Sequence, residues 1–225
     1  MRPRGKVEPM KVISFVTQKG GTGKTTLAAS FAVAAQEAGE RVFVIDMDEQ
    51  ASLMAWGHRR QADEPAIDRT TPDKLPAVLT ALQKAGYTLA VIDTQGHDSA
   101  GNSAAMRSAD LCLIPATPSV MDIEAAKPTV GALTRLGRPY AFVLNRCPAA
   151  RVVRMQDAAR AVSLLGALAE PLMVQRTDHV DAMGFGIGVT EHDPSGKAAE
   201  EVRKLWSWAK NRMKDTSHGQ TARIA

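Results

Sequence analysis

A nine-residue stretch, Gln18-Lys19-Gly20-Gly21-Thr22-Gly23-Lys24-Thr25-Thr26, narrows the possible folds of this chain more than its length or composition does. Residues 11–17 before it are apolar and β-branched, the pattern of a buried strand. Residues 27–39 after it form an Ala-rich run with helical spacing that stops at a glycine. Strand, glycine turn and helix in that order form the setting of a phosphate-cradling loop. Gly20, Gly21 and Gly23 let backbone N–H groups turn inward around a polyphosphate, where a Cβ would obstruct the approach. The helix opening near Gly23 adds the positive end of its dipole. Lys24 is then the group that reaches the β- and γ-phosphates, and the Thr25 hydroxyl the one that ligates Mg²⁺, with Thr22 and Thr26 completing the cradle. A chance glycine turn with a lone lysine would need all these features to coincide. The stretch is read as a nucleoside triphosphate site.

The rest of the chain alternates in the same way. Short apolar strands are expected at 41–46, 88–93, 111–116 and 139–145, with a last one at 171–175. Helical spacing occupies 75–86, 122–136 (with a kink expected at Pro128) and 149–166, a stretch near Val180, and a long run from 197 to 214. Residues 63–74 are polar and proline-punctuated and read as a surface connection, and 93–110 as a loop with a short helix. Such alternation predicts an α/β fold: a doubly wound, mostly parallel sheet flanked by helices, with ligands beyond the C-terminal ends of the strands. One P-loop domain is expected over 11–214, between an N-terminal tail (1–10) and a polar C-terminal tail (215–225).

Composition serves mainly to exclude. The 225 residues suit one substantial core, and no apolar run approaches the roughly 18 residues of a membrane helix. The basic N-terminus has no apolar segment behind it, so a secretory signal is not supported. Two cysteines, Cys112 and Cys147, fall in or beside apolar strands, which fits a reducing cytoplasm rather than a disulfide framework. The five histidines show no ligand spacing, so no metal beyond Mg²⁺ is expected. Net charge is +4, and residues 196–225 hold seven basic side chains against three acids. A basic C-terminal element suits a polyanionic partner, though a solvated helix face would look the same.

Three further motifs fall at strand ends. Asp46 and Asp48 follow the strand at 41–46, where carboxylates can face Mg²⁺ and an attacking water. Asp93 closes an apolar strand in the Walker B manner, before Thr94-Gln95-Gly96. Asn145, with Arg146 after it, ends a late strand and can offer an amide to a purine edge.

The general P-loop pattern wants glycine at position 18, but Gln18 and Lys19 stand there. With that second lysine, residues 19–26 resemble the deviant Walker A motif of the ParA/MinD family of ATPases. Residues 46–50 resemble the family's D-x-D-P-Q motif with Glu49 in place of proline, and residues 93–96 its D-T-P switch loop with Gln95 in place of proline. Residues 114–125 and 188–206 are similar to small partition ATPases, so the likeness runs from about 11 to 210. The resemblance implies ATP and Mg²⁺ as ligands. Lys19 would cross a homodimer interface to the partner's nucleotide. Lys19, Lys24 and Asp48 would carry catalysis, Asp48 by orienting the hydrolytic water. Thr25, Asp46 and Asp93 would serve the metal, and Asn145 the adenine.

The function so implied is that of a ParA-type ATPase with weak intrinsic activity that dimerises around ATP and holds DNA nonspecifically. It would position a plasmid, chromosome or protein cargo through a ParB-like or adaptor partner that stimulates hydrolysis. Its setting would be the bacterial cytoplasm, on the nucleoid. Long partition ATPases carry an N-terminal DNA-reading domain; with ten residues before the first strand, none is expected here. Candidate phosphate contacts are Arg203, Lys204, Lys210, Arg212 and Lys214, with Arg151 and Arg154 as alternatives. The alternative is a MinD-type membrane-surface ATPase. The stripe Val202, Leu205, Trp206, Ala209, Met213 could serve as its anchor, but such a stripe is more often core, and the chain's last ten residues are polar. An iron–sulfur relative would need cysteines in the switch loop. A metabolic kinase would need an acceptor lid and no Lys19.

Overall fold

A computed structural model describes residues 9–150 and 152–221, with the side chains of 152, 154 and 216–221 outside the description. In chain order the elements are β1 (Lys11–Phe15), α1 (Lys24–Glu37), β2 (Val42–Asp46), α2 (Ser52–Arg59), β3 (Ala66–Arg69), α3 (Leu75–Lys84), β4 (Leu89–Asp93) and α4 (Ala100–Ser108). There follow β5 (Leu111–Ala116), α5 (Val120–Leu136), β6 (Tyr140–Leu144), α6 (Val152–Ser163), β7 (Ala167–Leu168), α7 (Asp178–Phe185), α8 (Val189–His192) and α9 (Lys197–Thr221). The strands form one seven-stranded sheet in the order β3-β2-β4-β1-β5-β6-β7. Every pairing is parallel.

Central strands are buried on both faces, which is why they read as unbroken apolar runs. Alternate residues enter opposite layers. Ile13 and Phe15 of β1, with Leu89 and Val91 of β4, face the layer of α1, α2, α7, α8 and α9. Val12, Ala90 and Ile92 face the layer of α3 to α6. Helix α1 is nearly encased, from Leu27 to Ala35. Its alanines let the sheet approach on one side and α9 on the other. An aromatic stack crosses it: Phe15 meets Phe31 edge-on at 5.5 Å, and Phe31 meets Trp206 at 5.5 Å. The whole stripe Val202, Leu205, Trp206, Ala209 and Met213 is buried in this layer, so it is core and not an exposed anchor.

The sequence reading needs correction at five points. Residues 66–69, expected within a connection, form the edge strand β3 against β2. The segment holds one strongly apolar residue, Ile67, and an edge needs no more. The strand expected at 171–175 reduces to a single bridge, Cys147 with Val174; the seventh strand is Ala167–Leu168, directly after α6. Helix α9 runs to Thr221, past the domain limit set at 214. Met10, assigned to the N-terminal tail, is buried in the core; residues 1–8 lie outside the described residues. Helix α5 starts at Val120 and continues through Pro128.

Candidate nucleotide site

The C-terminal ends of β1, β2, β4 and β6 bring the four motifs to one edge of the sheet. Gly23 caps α1 in a left-handed conformation (φ 87°) that only glycine adopts without strain. Lys24 donates to the backbone oxygen of Lys19 (3.1 Å), so its ammonium lies inside the turn. Burial pushes its pKa down, while the Asp93 and Asp48 carboxylates hold it up.

Asp93 is fully buried, and both its oxygens lack a hydrogen-bond partner, as does the buried Thr22 hydroxyl. Burial raises its pKa to about 7; the nearby Thr25 hydroxyl lowers it, Asp46 raises it again, and Lys24 lowers it. An orphaned carboxylate beside a threonine hydroxyl and a buried lysine is costly unless a cation and a phosphate complete it. The donor set fits Mg²⁺, which keeps waters and takes few protein ligands. Among the described residues, no group of three or more His, Cys, Asp or Glu could hold a metal unaided.

Asp46 is held by the loop that follows β2. One of its oxygens accepts from the Asp48 N–H (2.9 Å) and the other from the Met54 N–H (2.9 Å). Both oxygens are thus engaged by the loop backbone, and Asp46 shapes that loop. Asp48 stands half-buried beyond it; its carboxylate accepts from the Gln50 N–H (3.0 Å) and its carbonyl from Arg69 of β3 (3.2 Å). Glu49 is exposed.

The segment after β4 lies directly on the P-loop. Thr94 donates to the Phe15 carbonyl (2.9 Å), and the buried Asn102 donates to the carbonyls of Gln95 (3.3 Å) and His97 (2.6 Å). A Cβ on Gly96 would stand 2.7 and 2.8 Å from the backbone of Gly20, too close for any side chain.

Beside Gly23 opens a cavity of about 630 Å³ lined by Thr26, Leu27, Asn145, Arg146, Arg176 and His179, among others. One N–H of the Asn145 amide donates to the Thr22 carbonyl (2.8 Å), which leaves Oδ1 and the second N–H for a base. Arg146 follows in a left-handed conformation (φ 54°), uncommon for a non-glycine residue and concentrated at functional turns. His179 was not singled out from the sequence. Both its ring nitrogens are buried without a partner, and burial lowers its pKa against the pull of Glu201 and Asp178. Behind it, Arg176 pairs with Glu201 of α9 at 2.6 Å.

Lys19 pairs with Asp122, in the first turn of α5 of its own chain. The basic residues of α9 lie at the other end of α1. Arg203 pairs with Glu37 (3.3 Å), Lys210 with Glu40 (2.7 Å) and Lys204 with Glu200 (2.7 Å). Lys214 acts on the same Glu40, and Arg212 is also engaged. Arg151 lies outside the described residues, as does the Arg154 side chain.

A family model described as the CobQ/CobB/MinD/ParA nucleotide binding domain (CbiA) matches residues 13–205. The chain belongs to that family. Its CobQ/CobB/MinD/ParA kinship extends to curated relatives. Protein VirC1 of Rhizobium radiobacter is 29% identical over 65% of this chain and 69% of its own length. The maintenance of carboxysome distribution protein A of Gloeobacter kilaueensis is 34% identical over 60% of this chain and 63% of its own. Among solved structures, the cell division ATPase MinD of Pyrococcus furiosus superposes with a TM-score of 0.73 at 23% identity, covering 89% of this chain and 98% of that one. At that identity the superposition shows the shared fold.

Proposed function

We propose that this chain is a ParA-type positioning ATPase that closes into a dimer around ATP and grips DNA without sequence preference. The observation that carries this reading is the buried, unsatisfied Asp93 facing Thr25 and Lys24, with Lys19 on the rim of the same loop. Bound Mg²⁺, held by Thr25 and Asp93, would neutralise phosphate charge. Lys24 binds the β- and γ-phosphates, Asp48 orients the attacking water, and Asn145 Oδ1 accepts from the adenine amino group. Lys19 reaches the nucleotide of a second copy across a two-fold interface. Val120 and Met121, 73% and 74% exposed in the turn that carries Asp122, give that rim an apolar contact for the second copy. Loss of the γ-phosphate removes contacts from both subunits at once, so DNA affinity follows nucleotide state through the doubled contacts of the dimer.

The relatives that support this reading include a carboxysome distribution protein and proteins named ParA in Rhizobium radiobacter and Caulobacter vibrioides. A protein adaptor on the cargo then stimulates hydrolysis. A membrane anchor finds no support in the described part of α9, whose apolar stripe is buried, and no described helix is long and apolar enough to cross a membrane. Sizing and DNA-shift measurements with ATP, ADP and a nonhydrolysable analogue test the proposal. Dimer and DNA shift should appear together, and only with triphosphate. Dimerisation without DNA retention, or binding to anionic liposomes instead, refutes the DNA half of it.

A further inference from the structure

Lys19 has two places to be. In the single chain its ammonium contacts Oδ1 of Asp122, 103 residues away in sequence. Asp122 does not follow wherever Lys19 goes. Its other oxygen accepts from the Thr117 hydroxyl (2.7 Å) and the Thr117 N–H (3.2 Å), and the residue is 8% exposed at the start of α5. The Lys19 side chain is long and 36% exposed, whereas that of Asp122 is 9% exposed. The lysine is therefore the mobile partner. When it swings out toward a second subunit, it leaves behind a fixed, largely buried carboxylate that has lost its counter-ion, and that separation is unfavourable.

We propose that Asp122 is a positioning residue that holds Lys19 within its own subunit and so sets how much ATP is needed before two copies close. This rests on the dimer reading above, since it concerns the state from which Lys19 departs. The nucleotide must outcompete Asp122 for the same ammonium, and each of the two protomers must break its own pair. Thr117 serves the restraint by keeping the carboxylate where Lys19 can reach it at rest but cannot draw it along.

The test is the ATP concentration at half-maximal dimerisation, read by sedimentation in the full chain. Asp122→Asn keeps the side chain's size and removes the charge. It should lower that midpoint by up to about fivefold, since an ion pair of this exposure is worth up to about a factor of five per protomer. Thr117→Val, which loosens the carboxylate without removing it, should shift the midpoint the same way by a smaller factor. It decides the matter should Asp122→Asn fail to fold. An unchanged or raised midpoint in the folded variants overturns the proposal. So does a shift from Asp122→Asn that persists in a Lys19→Ala background, because Asp122 would then act on something other than Lys19. Lys19→Ala alone separates the two levels. If it dimerises with ATP as the parent does, the cross-subunit reading itself falls. If it does not, while Asp122→Asn leaves the midpoint in place, only the restraint falls.

Discussion

The two ends of α1 are built on opposite terms. At its N-terminus the chain tolerates left-handed backbone at Gly23, a buried carboxylate with no partner at Asp93 and an unpaired hydroxyl at Thr22. At its C-terminus, about 20 Å along the helix by its rise of roughly 1.5 Å per residue, the carboxylates are matched, although Gln36 Oε1 is left without a partner. Glu37 meets Arg203, and Glu40 accepts from both Lys210 and Thr88. One end withholds satisfaction until a ligand arrives; the other spends its charges fastening α9 to the body. A buried carboxylate without a partner marks the working edge better than the exposed basic residues do. The seven basic residues near the C-terminus drew attention in the sequence, yet several of them already have partners.

Breaking the N-terminal end should have the largest effects. Lys24→Ala removes the ammonium from inside the turn and should weaken ATP binding roughly 10- to 100-fold, with loss of nucleotide-dependent dimer in sedimentation; a variant that still dimerises contradicts the P-loop assignment. Asp48→Ala should leave ATP binding intact and slow turnover about 100-fold or more, so that dimer accumulates. Normal phosphate release would move the water-orienting role elsewhere.

Asp93→Asn sharpens the contrast because it should damage function and improve stability together. The folded pKa of about 7 lies above the ordinary 3.8, so Asp93 contributes stability in its protonated form, fully below about pH 4, and that contribution is lost as pH rises through about 7. At pH 8 without nucleotide the variant should therefore be the more stable by on the order of 2 kcal/mol, with the gap closing toward pH 4, as followed by thermal melting. A variant that melts lower than its parent at pH 8 would show that the carboxylate is satisfied after all.

The C-terminal end should yield less. Replacing Lys204, Lys210 and Lys214 together should flatten the log–log salt dependence of DNA binding by at most about 2–3 units, and by less if Glu200 and Glu40 keep their partners in the complex. An unchanged slope places the DNA surface on another face.

Much of this architecture was legible beforehand because its signals are local. Glycines 20, 21 and 23 beside Lys24, and the apolar runs ending at Asp46, Asp93 and Asn145, place the nucleotide edge from short-range pattern alone. What escaped depends on closure of the fold. Residues 66–69 become a strand because β2 offers an open edge, not because they carry an alternating pattern. Residues 171–175 look like a strand by composition but meet β6's extension at a single bridge, while Ala167–Leu168, too short to signal anything, completes the sheet. The task of Asp46 turns on two backbone N–H groups, one of them eight residues away, and the Lys19–Asp122 and Arg176–Glu201 pairs join segments far apart in sequence.

Where Gly96 rests on Gly20, main chain touches main chain with nothing flexible in between. A displacement of one turn by a tenth of a nanometre cannot be absorbed by a rotamer and must be passed to the other. In the proposed ATPase, arrival or departure of the terminal phosphoryl group would move the 95–97 segment and, through the Asn102 amide that bonds the Gln95 and His97 carbonyls, α4. Adding a single methyl at position 96 would jam this contact in one register, and the proposed nucleotide-dependent dimer should then be lost while nucleotide still binds.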